Sequence, residues 1–245
     1  TLAGRELMLK RMENYIKEVI AWTETNYPGV IYAWDVVNEA AAEPWGADAG
    51  HLMRQEDSMW YQTIGEDFLQ KAYEYARKYT KEYAPDRKIK LFYNDYNEYY
   101  AVKRDNIVKI LKPVKDAGNI DGVGMQSHID TRQPLEGENG YMTAVRTFRD
   151  QLGLELHVTE LDIGLAKEVK PESGEVTEPA HTMEYQGEYF QKFMEALLKE
   201  KENGANITCV TFWGVSDALS WRPEENCLLF NEDLSRKPAF EGVVN

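Results

Sequence analysis

Ile31-Tyr32-Ala33-Trp34-Asp35-Val36-Val37-Asn38-Glu39 and Leu156-His157-Val158-Thr159-Glu160-Leu161-Asp162 are the stretches whose reading decides the fold. Each is an apolar, β-branched run that leads into a glutamate, so each reads as a strand with a carboxylate at its C-terminal end. Outward from them, strand-like and helical stretches alternate along the chain. Leu7, Met8, Met12, Ile16, Val19 and Ile20 give residues 5–26 a helical period. Ile64, Phe68, Ala72, Tyr75 and Tyr79 do the same for 58–83. Lys90-Leu-Phe-Tyr-Asn94, Gly122-Val-Gly-Met-Gln-Ser127, the run 154–159 and Ile207-Thr-Cys-Val-Thr-Phe-Trp213 are the further strands. Helices are expected at 99–112, stopped by Pro113, near 141–151, and near 181–202, closed by Asn203-Gly204. Alternation of this kind implies parallel β-α units, and uninterrupted apolar strands suit a sheet covered on both faces.

The polar stretch 166–180, punctuated by Pro171 and Gly174, reads as a long mobile loop after the strand of Glu160. No linker, low-complexity segment or fixed-period repeat divides the chain, so residues 1–245 read as one (β/α) domain.

Composition excludes some partners. The 245 residues carry 28 Lys and Arg against 42 Asp and Glu, a net charge of −14. Nucleic acid is not expected, because phosphate binding needs a basic face; a neutral substrate fits better. No run of 18 or more apolar residues suggests a membrane span. The four histidines (51, 128, 157, 181) have no zinc-ligand spacing, and no metal or organic cofactor is expected. Cys209, in an apolar run, is expected to be a buried thiol, with a Cys209–Cys227 bridge as the alternative.

In a parallel barrel the C-terminal rim of the strands carries the active site. Two carboxylates on that rim are the minimum equipment for cleaving a glycosidic bond, one protonating the leaving oxygen and the other attacking the anomeric carbon. Glu39 and Glu160 are the candidates, although a glutamate after one apolar strand is more often a plain surface carboxylate. Asn38 stands where it can hydrogen-bond a sugar hydroxyl. Glu160 and Asp162 fall on one side of an extended strand. His128, from a neighbouring strand, could orient the nucleophile between them; alone it would read as a structural histidine. Tyr96, Tyr99, Tyr100, Trp213 and Trp221 offer flat faces to sugar rings, each of which taken singly reads as packing.

Five segments together resemble glycoside hydrolase family 10, the endo-β-1,4-xylanases: Trp34-Asp-Val-Val-Asn-Glu39, Phe92-Tyr-Asn-Asp-Tyr-Asn97, Gly122-Val-Gly-Met-Gln-Ser-His128, Thr159-Glu-Leu-Asp162, and Phe212-Trp-Gly214 with Trp221. They occur in the family's order over nearly the whole chain. The resemblance implies a TIM (β/α)8 barrel and retaining hydrolysis of internal β-1,4-xylosidic bonds. It implies Glu39 as acid/base, Glu160 as nucleophile, and His128 and Asp162 as nucleophile supports. Asn38, Tyr96, Asn97, Gln126, Trp213 and Trp221 are implied as substrate contacts. Residues 1–27 resemble the helix after the family's third strand, so the chain is expected to supply strands four to eight and to need an N-terminal segment of the same barrel as its partner. The expected ligand is xylan or a xylo-oligosaccharide, and the expected location is extracellular or cell-surface, inferred from that substrate. The alternatives are a non-catalytic xylan-binding fragment and a related two-glutamate barrel acting on another β-glycan.

Overall fold

The structure is a computed structural model that describes residues 2–165, 167–169, 176–179 and 181–245. The chain forms two compact units. The first holds Thr1–Asp95, Ala101–Gly124 and Asp150–Glu155, and the second Tyr96–Tyr100, Met125–Arg149 and Leu156–Asn245.

The first unit opens with α1 (Leu2–Asn26), whose Met12 and Ile20 are buried. It packs on α2 (Met59–Ile64) and α3 (Phe68–Tyr83). Arg5 forks onto Asp67 at 2.8 and 2.7 Å, tying the start of α1 to the start of α3. The single helix expected over 58–83 is two. Ser58 caps α2 by accepting from the Tyr61 amide, and Gly65, at φ 103°, ends it in a conformation that glycine adopts without strain. Strand β1 (Ala33–Asn38) pairs in parallel with β2 (Lys90–Asp95), in register from Ala33↔Lys90 to Asn38↔Asn94. The register slips between Asp35 and Val37. β3 (Gly122–Met125) is the next strand beyond β2. Gly122 is required there, since a Cβ would lie 2.0 Å from the buried ring of Phe92. Between them runs α4 (Ala101–Asp116), which does not stop before Pro113 as expected. Proline in the last turn forfeits one amide hydrogen bond, and the turn still closes through Ala117 N to Pro113 O at 3.1 Å.

The second unit is built on β5 (Glu155–Gly164), longer than its apolar core suggested. β5 pairs in parallel with β4 (His128–Asp130) and with β8 (Ile207–Phe212). β4 is too short to give a periodic signal in sequence. α5 (Tyr141–Gln151) and α6 (Met183–Glu202) fall where expected. Thr182 caps α6 by accepting from the Tyr185 amide. α7 (Pro238–Val244) was not foreseen; it packs along α6. The stretch read as one mobile loop contains β6 (Lys167–Val169) and β7 (Val176–Pro179), paired antiparallel. The rest of that reading, at 166, 170–175 and 180, lies outside the described residues.

Both cysteines are free. Cys209 is half-buried, not fully buried as expected, and it is Cys227 that is excluded from solvent, with Sγ 3.1 Å from the Ser220 hydroxyl.

Candidate active site

In the first unit, Asn38 closes β1 and Glu39 follows it. The Glu39 amide donates to Asn94 O (2.9 Å), and the Asn94 side chain donates to Asn38 Oδ1 (3.1 Å), so the end of β2 sets both residues. Glu39 sits at φ 57°, a left-handed conformation that costs an L residue roughly 1–2 kcal/mol. Such strain persists only where neighbours enforce it. Here they do: the Ala40 and Ala41 amides both donate to the Tyr93 hydroxyl (3.0 and 2.9 Å), and that hydroxyl donates to Asp95 Oδ2. Burial, then the charge of Asp95, pushes the Tyr93 hydroxyl well above its ordinary pKa, so it stays a donor. Asp95 is paired with Lys103 at 3.0 Å, and both are wholly excluded from solvent. The Glu39 carboxylate stands 3.4 Å from Arg54 and opens on a cleft of about 510 Å³, also lined by Tyr15, Asp57, Met59 and Trp60.

In the second unit, Glu160 sits where the pairing of β5 with β8 slips, between Val158 and Leu161. Thr159 and Glu160 are half-buried in a strand otherwise buried along its length. Irregularities of this kind re-aim side chains at strand ends. The Glu160 amide donates to Gln126 O at 3.1 Å, and Gln126 itself is buried. His128 stands opposite Asp162 across the β4–β5 register. Its Nδ1 is 3.0 Å from Asp162 Oδ2 and its Nε2 is 3.2 Å from Glu160 Oε2. Burial opposes a charge on His128, but the hydrogen bonds it donates to Asp162 and Glu160 prevail and raise its pKa to about 9. At neutral pH the ring is therefore an imidazolium that donates to both carboxylates; a neutral imidazole has a single N–H.

Asp162 is fully buried and holds more than the histidine. The Trp221 indole N–H donates to Oδ2 at 2.8 Å, and the Arg222 guanidinium binds Oδ1. Arg222 also reaches Ile129 O (3.1 Å) and Glu225 (3.0 Å). Trp221 is thus anchored by its nitrogen while 61% of the residue stays exposed, and it meets the His128 ring edge-on, centroids 5.0 Å apart. Trp213 follows β8, its amide bonded to Leu161 O (3.1 Å), with the side chain half-exposed. Tyr96 and Asn97 lie in the turn after β2; Asn97, at φ 55°, accepts from the Tyr99 hydroxyl at 3.3 Å.

Seven of the site residues read from sequence fall into two sets, with Tyr96, Asn97 and Trp213 standing outside both. Glu160, His128, Asp162 and Trp221 are linked side chain to side chain, and Gln126 joins them through its carbonyl. Asn38 and Glu39 share the first unit. Sequence reasoning missed Arg54, Asn94, Tyr93, Lys103 and Arg222. Arg54 and Arg222 sit in polar loops where a charge reads as solvated. Lys103 sits on a helix face where its burial leaves no trace in the pattern. For Arg222, adjacency to Trp221 was the available signal.

Residues 2–245 match Glycosyl hydrolase family 10, and the chain belongs to that family. It is 41% identical over 99% of its length to endo-1,4-beta-xylanase B of Butyrivibrio fibrisolvens, and 36% identical over 98% to a putative endo-1,4-beta-xylanase of Caldicellulosiruptor saccharolyticus. It spans 35% of the first relative and 73% of the second. Among solved structures, it resembles an intracellular xylanase of Thermoanaerobacterium saccharolyticum with a TM-score of 0.78 at 33% identity, covering 98% of this chain and 66% of that one. A second is the N-terminal endo-1,4-beta-D-xylanase 10B of Clostridium thermocellum, complexed with xylohexaose, with a TM-score of 0.81 at 33% identity, over 98% of this chain and 46% of that one. The α/β fold with its parallel strands is that of these family structures.

Proposed function

We propose that the chain carries the catalytic glutamates of a retaining endo-1,4-β-xylanase. The observation that carries this is Glu160 hydrogen-bonded through His128 to buried Asp162, in a chain whose family relatives in Butyrivibrio fibrisolvens and Caldicellulosiruptor saccharolyticus are named endo-1,4-β-xylanases. Glu160 attacks the anomeric carbon, and His128, 3.2 Å from its Oε2, holds the carboxylate in place. Glu39 transfers its proton to the leaving glycosidic oxygen. The resulting Glu39 carboxylate then takes a proton from water, which displaces Glu160 and restores the anomeric configuration. Asn38, Tyr96, Asn97, Gln126, Trp213 and Trp221 bind the sugars, the tryptophans by stacking. The substrate is an extracellular polymer, so the working location is outside the cell or on its surface; finding the protein only in the cytosol of its source organism would refute that placement.

The parallel strands β1, β2, β3, β5 and β8 act as strands four to eight of the barrel. Support comes from β1 and β8, which each have one strand neighbour among the described residues. They bear half-exposed Trp34, Val36, Val37, Val210 and Phe212, whereas β3 is buried throughout. An N-terminal barrel segment, on this polypeptide or another, covers them in the active form.

The deciding experiment is release of reducing sugar from xylan, mixed-linkage glucan and mannan, with and without a polypeptide carrying the first three family strands. Glu160→Gln serves as the control, its fold checked by circular dichroism. Xylan-selective release that the substitution abolishes is the expected outcome. Wild-type rates in Glu160→Gln refute the nucleophile assignment, and preference for glucan or mannan refutes the substrate.

A further inference from the structure

The segment after Glu39 leaves β1 and folds back on itself. Ala40 O accepts from the Arg54 amide (2.9 Å), Ala41 pairs antiparallel with Met53, and the Ala42 amide donates to Leu52 O (3.0 Å). α4 fastens this clasp from one side. Lys103 Nζ donates to Ala41 O at 2.8 Å and pairs with Glu43 at 2.8 Å; Asn106 donates to Ala42 O (3.2 Å) and His51 O (3.1 Å). β2 fastens it from another through the Tyr93 hydroxyl. Ala40, Ala41, Ala42 and Met53 are buried. Arg54 therefore leaves a backbone as fixed as that of Glu39, and its Nη1 lies 3.4 Å from Glu39 Oε2.

A part-exposed ion pair between two freely moving side chains contributes little, because ordering both offsets the attraction. In this pair one clasp has already fixed both backbones. We propose that Arg54 is a positioning residue for Glu39. It holds the carboxyl group where its proton can reach the leaving oxygen and faces the carboxylate left once that proton has gone. The inference rests on the reading of Glu39 as acid/base.

The test compares wild type, Arg54→Met and Arg54→Lys, in the form that cleaves xylan, on two substrates. Xylan leaves as an alkoxide that needs protonation. A 2,4-dinitrophenyl β-xylobioside leaves as a phenolate that needs none. The readout is kcat/KM, which reports the first displacement. Arg54→Met is expected to lose about tenfold or more on xylan, a fraction of what a general acid supplies, while the aryl glycoside changes less than about twofold. Arg54→Lys is expected to recover part of the xylan loss, since it restores the charge without the fork. Equal losses on both substrates mean that Arg54 merely supports the fold, and no loss on either means that the pair is incidental; both overturn the proposal. A wild type inactive on xylan overturns the functional reading, and the inference with it.

Discussion

His128 stands between two carboxylates, and both of its ring nitrogens are engaged. The folded protein raises its pKa to about 9, whereas the unfolded chain leaves it near ~6.5. Protonation therefore favours the fold. The stabilisation is fully present below about pH 6.5 and is lost as pH rises through 9. Urea unfolding across that range is expected to show wild type more stable than His128→Gln by roughly 1–3 kcal/mol at pH 6, with the gap closing toward pH 10. A gap independent of pH would mean that the histidine acts by packing alone. A second residue-scale pattern recurs across strand ends. Glu39, Asn97 and Ser127 are left-handed non-glycine residues just past β1, β2 and β3. Asn97 is of a residue type that enters this region readily, but Glu39 and Ser127 give no sign of it in sequence.

At the scale of elements, the apolar runs were legible because β-branched and aromatic residues cluster in them, whether the strand is buried throughout, as β3 is, or half-exposed, as β1 and β8 are. β1, β2, β3, β5 and β8 lie close to where their β-branched residues put them. What sequence hid was short or set by tertiary contact: three-residue β4, the break at Gly65, and α7. Glu39 was legible because a charge directly after an apolar strand is conspicuous, and Glu160 because a charge interrupting one is. Arg54, which meets Glu39, and Arg222, which meets Asp162, were not, being brought up by loops. The α6–α7 contact shows how such packing is decided. A Cβ on Gly242 would lie 2.1 Å from the Gly187 carbonyl oxygen, and one on Gly187 would lie 2.7 Å from Pro238 O. Backbone cannot step aside as a side chain can, so Gly242→Ala is expected to destabilise the protein by ~1–3 kcal/mol in thermal or urea unfolding. Unchanged stability would show that α7 is not held there.

At the scale of the whole chain, the net charge of −14 opposes self-association. Strands β1 and β8 carry apolar residues that water reaches, and edges of that kind invite pairing. Adding the complementary N-terminal strands is expected to raise both the melting temperature and the rate of sugar release. A chain that sediments as a stable monomer of 28.3 kDa with full activity, unchanged by that addition, would show that five strands suffice.

The clasp between Ala40–Ala42 and Leu52–Arg54 encloses a short tip whose Trp45, Gly46, Ala47, Ala49 and Gly50 are exposed. The two legs are joined to each other below that tip, and the tip's Asp48 carboxylate accepts from the Gln55 amide (3.0 Å), so the tip is braced onto the same leg that carries Arg54. Replacing the exposed side chains of Trp45 or Ala47 is therefore expected to leave the backbone around Glu39 in place, whereas replacing Asp48 loosens the leg that delivers Arg54.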